Sequence, residues 1–152
     1  MVFHAISSDF QRVLKLSPSM VSSMYNRSTV EAILDEEMPI LNIIDKNEYV
    51  DLLKSHIPYY FSQVYFMQDD PLVIRTIEFI NRNEIAKNIW ENLTLQDAID
   101  YNPKENRLVH FKISGISVPM YFSRETLQKN SRFEIIEYQP KGNFLKILSK
   151  LI

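Results

Sequence analysis

Apolar positions recur at a helical spacing in the N-terminal third of the chain. Val30, Ile33 and Leu34 share one face of a helix. The segment opens with a capping box, in which the Ser28 hydroxyl and the Glu31 carboxylate each accept a hydrogen bond from the other residue's backbone N–H. The pattern therefore predicts a short helix with a defined start.

Local start signals predict further helices. Ser17-Pro18 places a capping hydroxyl before a proline at the first helical position. Residues 85–92 have a helical pattern, and Thr94 is a plausible cap for another short helix.

Segments rich in β-branched and aromatic residues predict strands in the middle and at the end of the chain. Asp69-Asp70-Pro71 predicts a hairpin turn between two of them, and Ser114-Gly115 predicts a second tight turn. The predicted strands cover residues 40–44, 59–67, 72–80, 108–113, 116–123 and 133–138, while 144–151 is either a last strand or a helix.

Helices followed by hairpins favour an α+β fold over alternating βαβ units. We expect an antiparallel sheet of about six strands with helices packed against it. The length of 152 residues and the 45% hydrophobic fraction suit a single domain over residues 1–152 with a substantial core.

Composition excludes several classes of function. Gly occurs twice, at Gly115 and Gly142, which rules out Gly-rich phosphate loops and dinucleotide fingerprints. The chain has no Cys, and its three His residues lack metal-ligand spacing, so we expect no metal and no cofactor. No Ser lies in a nucleophile elbow. A net charge of −2 without a basic run argues against nucleic acid as a partner.

The N-terminus lacks the basic and apolar regions of a signal peptide, and no apolar run approaches the roughly 18 residues of a membrane span. Together with the absence of Cys, this predicts a cytoplasmic protein without a membrane partner.

Arg75 is the most informative charged position. On a strand over 72–80 it shares a face with Val73, Ile77 and Phe79. A guanidinium on an apolar face needs an anionic partner, because burying it unpaired is costly. Arg75 is therefore a clamp for a ligand carboxylate, or a structural partner of an internal acid such as Glu134, or a residue on the solvent face of the sheet.

Two other features leave alternatives open. Arg124 follows strand 116–123, and the alternation of side chains places it on the apolar face of that strand. It either lines a pocket or is a surface arginine at the strand end. The aromatic run over 59–66, which includes Tyr65, is either core packing or an aromatic wall with a Tyr hydroxyl as its polar group.

Several landmarks occur in an order found in a known family. They are Leu16-Ser17-Pro18, Asn26-Arg27-Ser28-Thr29-Val30-Glu31, strand 40–44, Asp69-Asp70-Pro71, Arg75-Thr76-Ile77, Tyr121-Phe122-Ser123-Arg124 and Arg132-Phe133-Glu134-Ile135. This order resembles the chorismate lyase-like superfamily, which includes the UTRA effector-binding domains of bacterial transcription regulators. The resemblance extends from about residue 16 to residue 135 and includes no DNA-binding module.

The resemblance implies an enclosed pocket between sheet and helices for a small carboxylated metabolite, aromatic or not. Lys46 stands close to the position at which chorismate lyases carry an Arg, but it lacks the bidentate fork of a guanidinium. The ligand-binding residues that we predict are Arg75, Lys46, Arg124, Tyr65 and Tyr121.

The chain also departs from the family pattern. Residues 119–122 lack the acid that chorismate lyases carry in a late strand, and residues 63–65 lack the Arg-x-Arg pair of phosphosugar-binding UTRA domains. The catalytic residues therefore stay unassigned, and activity of the chorismate-pyruvate lyase type is left open. The alternative function is a non-enzymatic protein–protein interaction module with a vestigial pocket. The sequence also leaves a homodimer open.

Overall fold

The computed structural model describes residues 6–13, 15–25, 27–37, 44–101, 107–113, 115–126, 134–143 and 146. Within these ranges the chain is α+β, with helices first and an antiparallel sheet after them. The helices are α1 (Ser8–Val13), α2 (Pro18–Met24), α3 (Thr29–Leu34), α4 (Lys46–Val64), α5 (Pro71–Arg82), α6 (Glu84–Glu91) and α7 (Leu95–Ile99), and the strands are β1 (Arg107–Ile113), β2 (Ile116–Thr126) and β3 (Glu134–Pro140).

Side-chain caps start the short helices where the sequence predicted them. The Ser17 hydroxyl accepts from the Met20 N–H, and the Ser28 hydroxyl accepts from the Glu31 N–H. The other half of the capping box predicted at Ser28 is not formed, because the Glu31 carboxylate accepts from Arg75 and Thr76. Thr94 begins α7 with a complete capping box. Each cap satisfies a backbone donor that a helix start leaves without an intrahelical partner.

The described sheet has the order β1-β2-β3, and both pairs of strands are antiparallel. The β1–β2 hairpin closes on the pair Ile113–Ile116. Gly115 has a φ of 80°, which glycine adopts without the steric penalty of a Cβ atom. The predicted hairpin is confirmed, as is a strand that starts at residue 134 and reaches Pro140.

The strands predicted over 59–67 and 72–80 are wrong. Residues 59–64 form the last turns of α4, and 72–80 lie inside α5. Val73 and Ile80 are both buried and lie two helical turns apart. This helical period outweighs the strand propensity of the β-branched residues in that segment.

The turn predicted at residues 69–71 is the start of a helix instead. Asp70 caps α5 through its carboxylate, which accepts from the Leu72 N–H at 2.8 Å. Pro71 occupies the first helical position, where its missing N–H costs nothing.

The described residues therefore form three strands and not the expected six. Of the predicted strand 40–44, Ile44 alone is described, and it forms an isolated bridge with Phe111. Residues 40–43, and all of 144–151 except 146, lie outside the described ranges.

The main core joins α3, α4, α5 and α6 to the inner face of the sheet, and Met24 and Ala32 form a separate small cluster. Because side chains alternate along a strand, Val109, Phe111, Val118 and Met120 face this core. Residues 110, 112, 117 and 121 therefore lie on the outer face of the sheet. The helices contribute Val30, Ile33, Leu34, Leu52, Leu53, Ile57, Tyr60, Val64, Val73, Ile80 and Ala86.

None of the helices in the described ranges combines the length and apolar character that a membrane span requires.

Candidate functional site

An open cleft with a volume of about 420 Å³ lies where the N-terminus of α4 meets the outer face of the sheet. Its polar lining comes from two parts of the chain that are far apart in sequence. The lining residues are Asp45, Lys46, Asn47, Glu48, His110 and Ser117.

Two contacts between side chains hold the first turn of α4 against β1. Asp45 forms an ion pair with Lys112, and Glu48 Oε1 lies 2.8 Å from His110 Nδ1. Ile44, just before the helix, bridges to Phe111 on the same strand. These contacts bring residues 45–48 to the outer face of the sheet and form one wall of the cleft.

The start of α4 has no side-chain cap. Asp45 occupies the N-cap position, yet its side chain makes no capping hydrogen bond and pairs with Lys112 instead. The first N–H groups of a helix carry partial positive charge, which favours negative charge nearby.

Lys46 is an exposed cation at the first position of this helix. Within the described ranges it makes no ion pair, whereas both cleft carboxylates do. The ammonium of Lys46 and the hydroxyl of Ser117 are thus hydrogen-bond donors at one cleft, beside the imidazole of His110. Such a lining can hold an anion.

Arg75, predicted as the main anion clamp, forms an ion pair with a buried carboxylate. Its Nε and Nη2 atoms donate to the two oxygens of Glu31 at 3.1 Å and 2.9 Å. Thr76 Oγ1 donates to the same carboxylate at 2.6 Å. Because the Glu31 side chain is 1% exposed, it needs this compensation for its charge. The internal-acid alternative is the one that occurs, with Glu31 in place of Glu134.

Arg124 lies on the inner face of β2, as its parity predicted. Its guanidinium carbon is 3.6 Å from the centroid of the Tyr59 ring, and its Nε atom is buried. The cavity beside it, also lined by His56 and Tyr60, has a volume of about 10 Å³. That is space for no more than about one water molecule, so this cavity does not admit a metabolite.

The two tyrosines predicted as ligand contacts lie apart. Tyr65 follows the last residue of α4 and packs edge-on against Phe61 and Phe66, with ring centroids 5.3 Å and 5.1 Å away. Since α4 has 19 residues, about 28 Å separates its ends. Tyr65 is therefore remote from Lys46, whereas Tyr121 shares the outer face of the sheet with His110.

Of the five predicted ligand-binding residues, Lys46 lines the cleft and the other four do not. The sequence predicts no role for His110. Ser117 and Glu48 were missed, since Glu48 and His110 are 62 residues apart and no local motif connects them.

The described residues contain no group of three or more His, Asp or Glu side chains that could hold a metal ion. Comparison of the chain with family models, curated proteins and solved structures gives no match.

Proposed function

We propose that the cleft at the N-terminus of α4 binds a small carboxylated metabolite, with Lys46 as its main cationic partner. The observation that carries the proposal is the convergence of Lys46, His110 and Ser117 on one cleft of about 420 Å³. Clefts of roughly 300 to 1,000 Å³ are typical of small-molecule sites. The proposed site is open and lies on the outer face of the sheet, unlike the enclosed pocket that we expected.

The position of Lys46 supports a binding role. A cation in the first turn of a helix opposes the macrodipole, at a cost of about 0.3 to 1 kcal/mol. Neither an ion pair within the described residues nor burial offsets this cost. A bound carboxylate would offset it, because the anion interacts favourably with both the ammonium and the helix start.

The charges around the cleft favour a monoanion over a dianion. Asp45 and Glu48 carry two negative charges, which offset the positive charges of Lys46 and Lys112. A carboxylate adds one negative charge to this set, whereas a phosphate monoester adds nearly two.

An apolar surface next to the cleft suits the body of such a ligand. Pro119 pairs with His110 across the hairpin, and Tyr121 pairs with Leu108 at the next position on the same face. Tyr121 is 42% exposed and Leu108 is 37% exposed. In this proposal a ring or short apolar chain contacts these side chains while the carboxylate lies at Lys46. The role predicted for Tyr121 is retained here.

The proposal concerns binding and includes no catalytic step. Chorismate-pyruvate lyase-type turnover and membership in the chorismate lyase-like and UTRA superfamily stay predictions from the sequence. The cytoplasmic location and the absence of a nucleic-acid partner are predictions of the same kind.

A second candidate function is docking of another protein chain. Phe66 is 87% exposed and Met67 is 53% exposed, and the two are adjacent in the turn between α4 and α5, so they form an apolar surface that a partner chain could cover. Sedimentation of the protein and of Phe66→Ser over a range of concentrations tests the simplest form, a homodimer. A dimer that Phe66→Ser dissociates would support it, and a monomer throughout would rule this form out.

The first test of carboxylate binding is a ligand panel. Benzoate, 4-hydroxybenzoate and chorismate supply the carboxylate, benzamide keeps the ring without the charge, and a sugar phosphate supplies a dianion. We expect the carboxylates to raise the melting temperature and to shift the backbone amide NMR signals of residues 46–48 and 110. A ligand present at about 100 times its dissociation constant adds about 2.7 kcal/mol of stability. Equal effects of benzoate and benzamide, or none with any carboxylate, would overturn the proposal.

A further inference from the structure

His110 gives the cleft a group that can change charge near neutral pH. Its Nδ1 atom lies 2.8 Å from Glu48 Oε1, and the two side chains are 40% and 25% exposed. An ordinary histidine gains or loses its charge between about pH 5 and pH 8, a range in which Asp, Glu and Lys side chains keep theirs. The net charge of the cleft therefore depends on whether His110 holds a second proton.

Among the described residues, the charged groups near His110 come from the start of α4, from β1 and from Lys141, which follows β3. The Lys141 N–H donates to the carbonyl of Pro119 at 2.9 Å, and its ammonium lies 5.8 Å from the centroid of the Tyr121 ring. The start of α4 supplies Asp45, Lys46 and Glu48, and β1 supplies Lys112 two positions along the same face. On β2, the uncharged Pro119 stands opposite His110.

The neighbours of Pro119 on this face of β2 are Ser117 and Tyr121. Neither Ser117 nor Pro119 carries a charge beside His110.

We propose that anion binding in this cleft is coupled to the protonation of His110. This inference rests on the proposed function, since it describes how that site is regulated. A protonated His110 pairs with Glu48 as a full ion pair and raises the charge of the cleft by one. A neutral His110 leaves the negative charge of Glu48 uncompensated beside the ligand. The two states differ by one unit of charge, so the carboxylate binds more tightly at lower pH.

The size of the coupling is set by a change of one unit charge near the ligand. A unit charge about 4 Å from the ligand in water-like surroundings changes the dissociation constant by about fivefold. The contact is partly exposed, so this water-like value applies. We expect benzoate to bind about fivefold more weakly when His110 is neutral than when it is protonated.

The experiment measures the dissociation constant of benzoate by NMR from about pH 5.5 to about pH 8.5, a range that spans the titration of an ordinary histidine. The wild-type protein is compared with His110→Gln and with Glu48→Gln. The wild-type constant should rise about fivefold along a single sigmoid, whereas that of His110→Gln should stay flat. In parallel, the His110 ring signals should show a titration midpoint that moves to higher pH when benzoate is added.

The possible failures are distinguishable. If benzoate binds but its affinity does not depend on pH, or if His110→Gln keeps the same dependence, the coupling is absent while the proposed function stands. A midpoint that benzoate does not move would also reject the coupling. If benzoate binds at no pH, the proposed function itself fails and the coupling fails with it. Glu48→Gln removes the carboxylate and keeps His110, so benzoate binding to this variant should still depend on pH, and loss of that dependence would reject the coupling to His110.

Discussion

Arg75 and Glu31 form a bidentate ion pair that joins α5 to α3 across 44 residues of sequence. The Glu31 side chain is almost fully buried, whereas 42% of the Arg75 side chain is exposed. Ser28 Oγ lies 3.1 Å from Thr76 Oγ1, which itself donates to Glu31. The hydroxyl that caps α3 is thus part of the same polar network. This network replaces the ligand clamp that the sequence suggested at Arg75.

Breaking this ion pair should destabilise the fold and leave ligand binding intact. Arg75→Met leaves the Glu31 carboxylate buried without its cation, which costs about 3 to 5 kcal/mol when both partners are buried. Because Arg75 is partly exposed, we expect a smaller loss, about 1 to 3 kcal/mol, in urea unfolding.

The double variant Glu31→Gln/Arg75→Met provides the control. It removes both charges, so its loss should be smaller than the sum of the two single losses. Full stability of Arg75→Met together with loss of benzoate binding would instead restore Arg75 as a ligand clamp.

The cap of α5 can be tested with two neighbouring aspartates. Asp70 caps this helix through the Leu72 N–H, while Asp69 is exposed and precedes the cap. Asp70→Ala should lower the free energy of unfolding by about 0.5 to 2 kcal/mol. Asp69→Ala should change it by less than about 0.5 kcal/mol, as is usual for surface substitutions. Equal losses in the free energy of unfolding for both variants would show that removing a negative charge lowers stability and that the cap does not contribute.

Local signals in the sequence were sufficient for part of the fold. Ser17, Ser28 and Thr94 start helices because each cap depends on residues within three positions. The hairpin at Gly115 is likewise set by a turn and its flanking residues.

The strand predictions over 59–67 and 72–80 are wrong because the same residues satisfy two patterns. Tyr, Phe, Ile and Val favour strands by propensity, but their spacing in α4 and α5 also forms a buried helix face. The Asp70-Pro71 pair fits a turn and a helix start equally well. Tertiary packing against the sheet decides between them, and this information is not local.

Stability at alkaline pH should depend on buried tyrosines. Burial raises the pKa of Tyr60 above its ordinary value of 10.0, and this effect outweighs its hydrogen bond with Thr76. Burial also raises the pKa of Tyr49. The folded state therefore holds these protons more tightly than the unfolded chain does. The raised pKa values therefore leave the free energy of unfolding unchanged below pH 10 and lower it as the pH rises above 10.

Urea unfolding at about pH 8 and about pH 11, on either side of the ordinary tyrosine pKa, measures this effect. The wild-type protein should lose more stability between the two values than Tyr49→Phe/Tyr60→Phe, which cannot ionise at these positions. Equal losses in both proteins would contradict the assignment.

Arg124 should contribute to stability and not to ligand binding. Stacking of its guanidinium on the Tyr59 ring contributes about 0.5 to 2 kcal/mol in partly desolvated surroundings. Arg124→Met should therefore lower the free energy of unfolding by about 1 to 2 kcal/mol. The dissociation constant of benzoate should stay unchanged, because Arg124 lies on the face of the sheet opposite the cleft. Weaker benzoate binding at unchanged stability would place the ligand at the inner cavity instead.

Lys46 is the one residue of the candidate site that the sequence predicts. The prediction rests on its place close to a family arginine, and Lys46 lines the cleft. Contact between Glu48 and His110 depends on the position of the first turn of α4 against β1, which no short motif encodes. The predictions at Tyr65 and Arg75 depend on strands over 59–67 and 72–80, where the structure has the end of α4 and α5. Arg124 is predicted from the parity of its strand and from its family position, and Tyr121 from its family position. The candidate site therefore lies on the outer face of the sheet and not at Arg75.

The most direct test of carboxylate binding compares Lys46→Ala with Lys54→Ala in a benzoate titration followed by NMR. Both lysines are exposed on α4, and eight residues separate them along the helix. Lys46→Ala should weaken benzoate binding at least about fivefold, the effect of one nearby charge, while Lys54→Ala should leave it unchanged. Lys46→Ala should also fold with equal or slightly greater stability, because it removes a cation from the helix start. Equal affinity of both variants, or an equal loss in both, would contradict binding at Lys46.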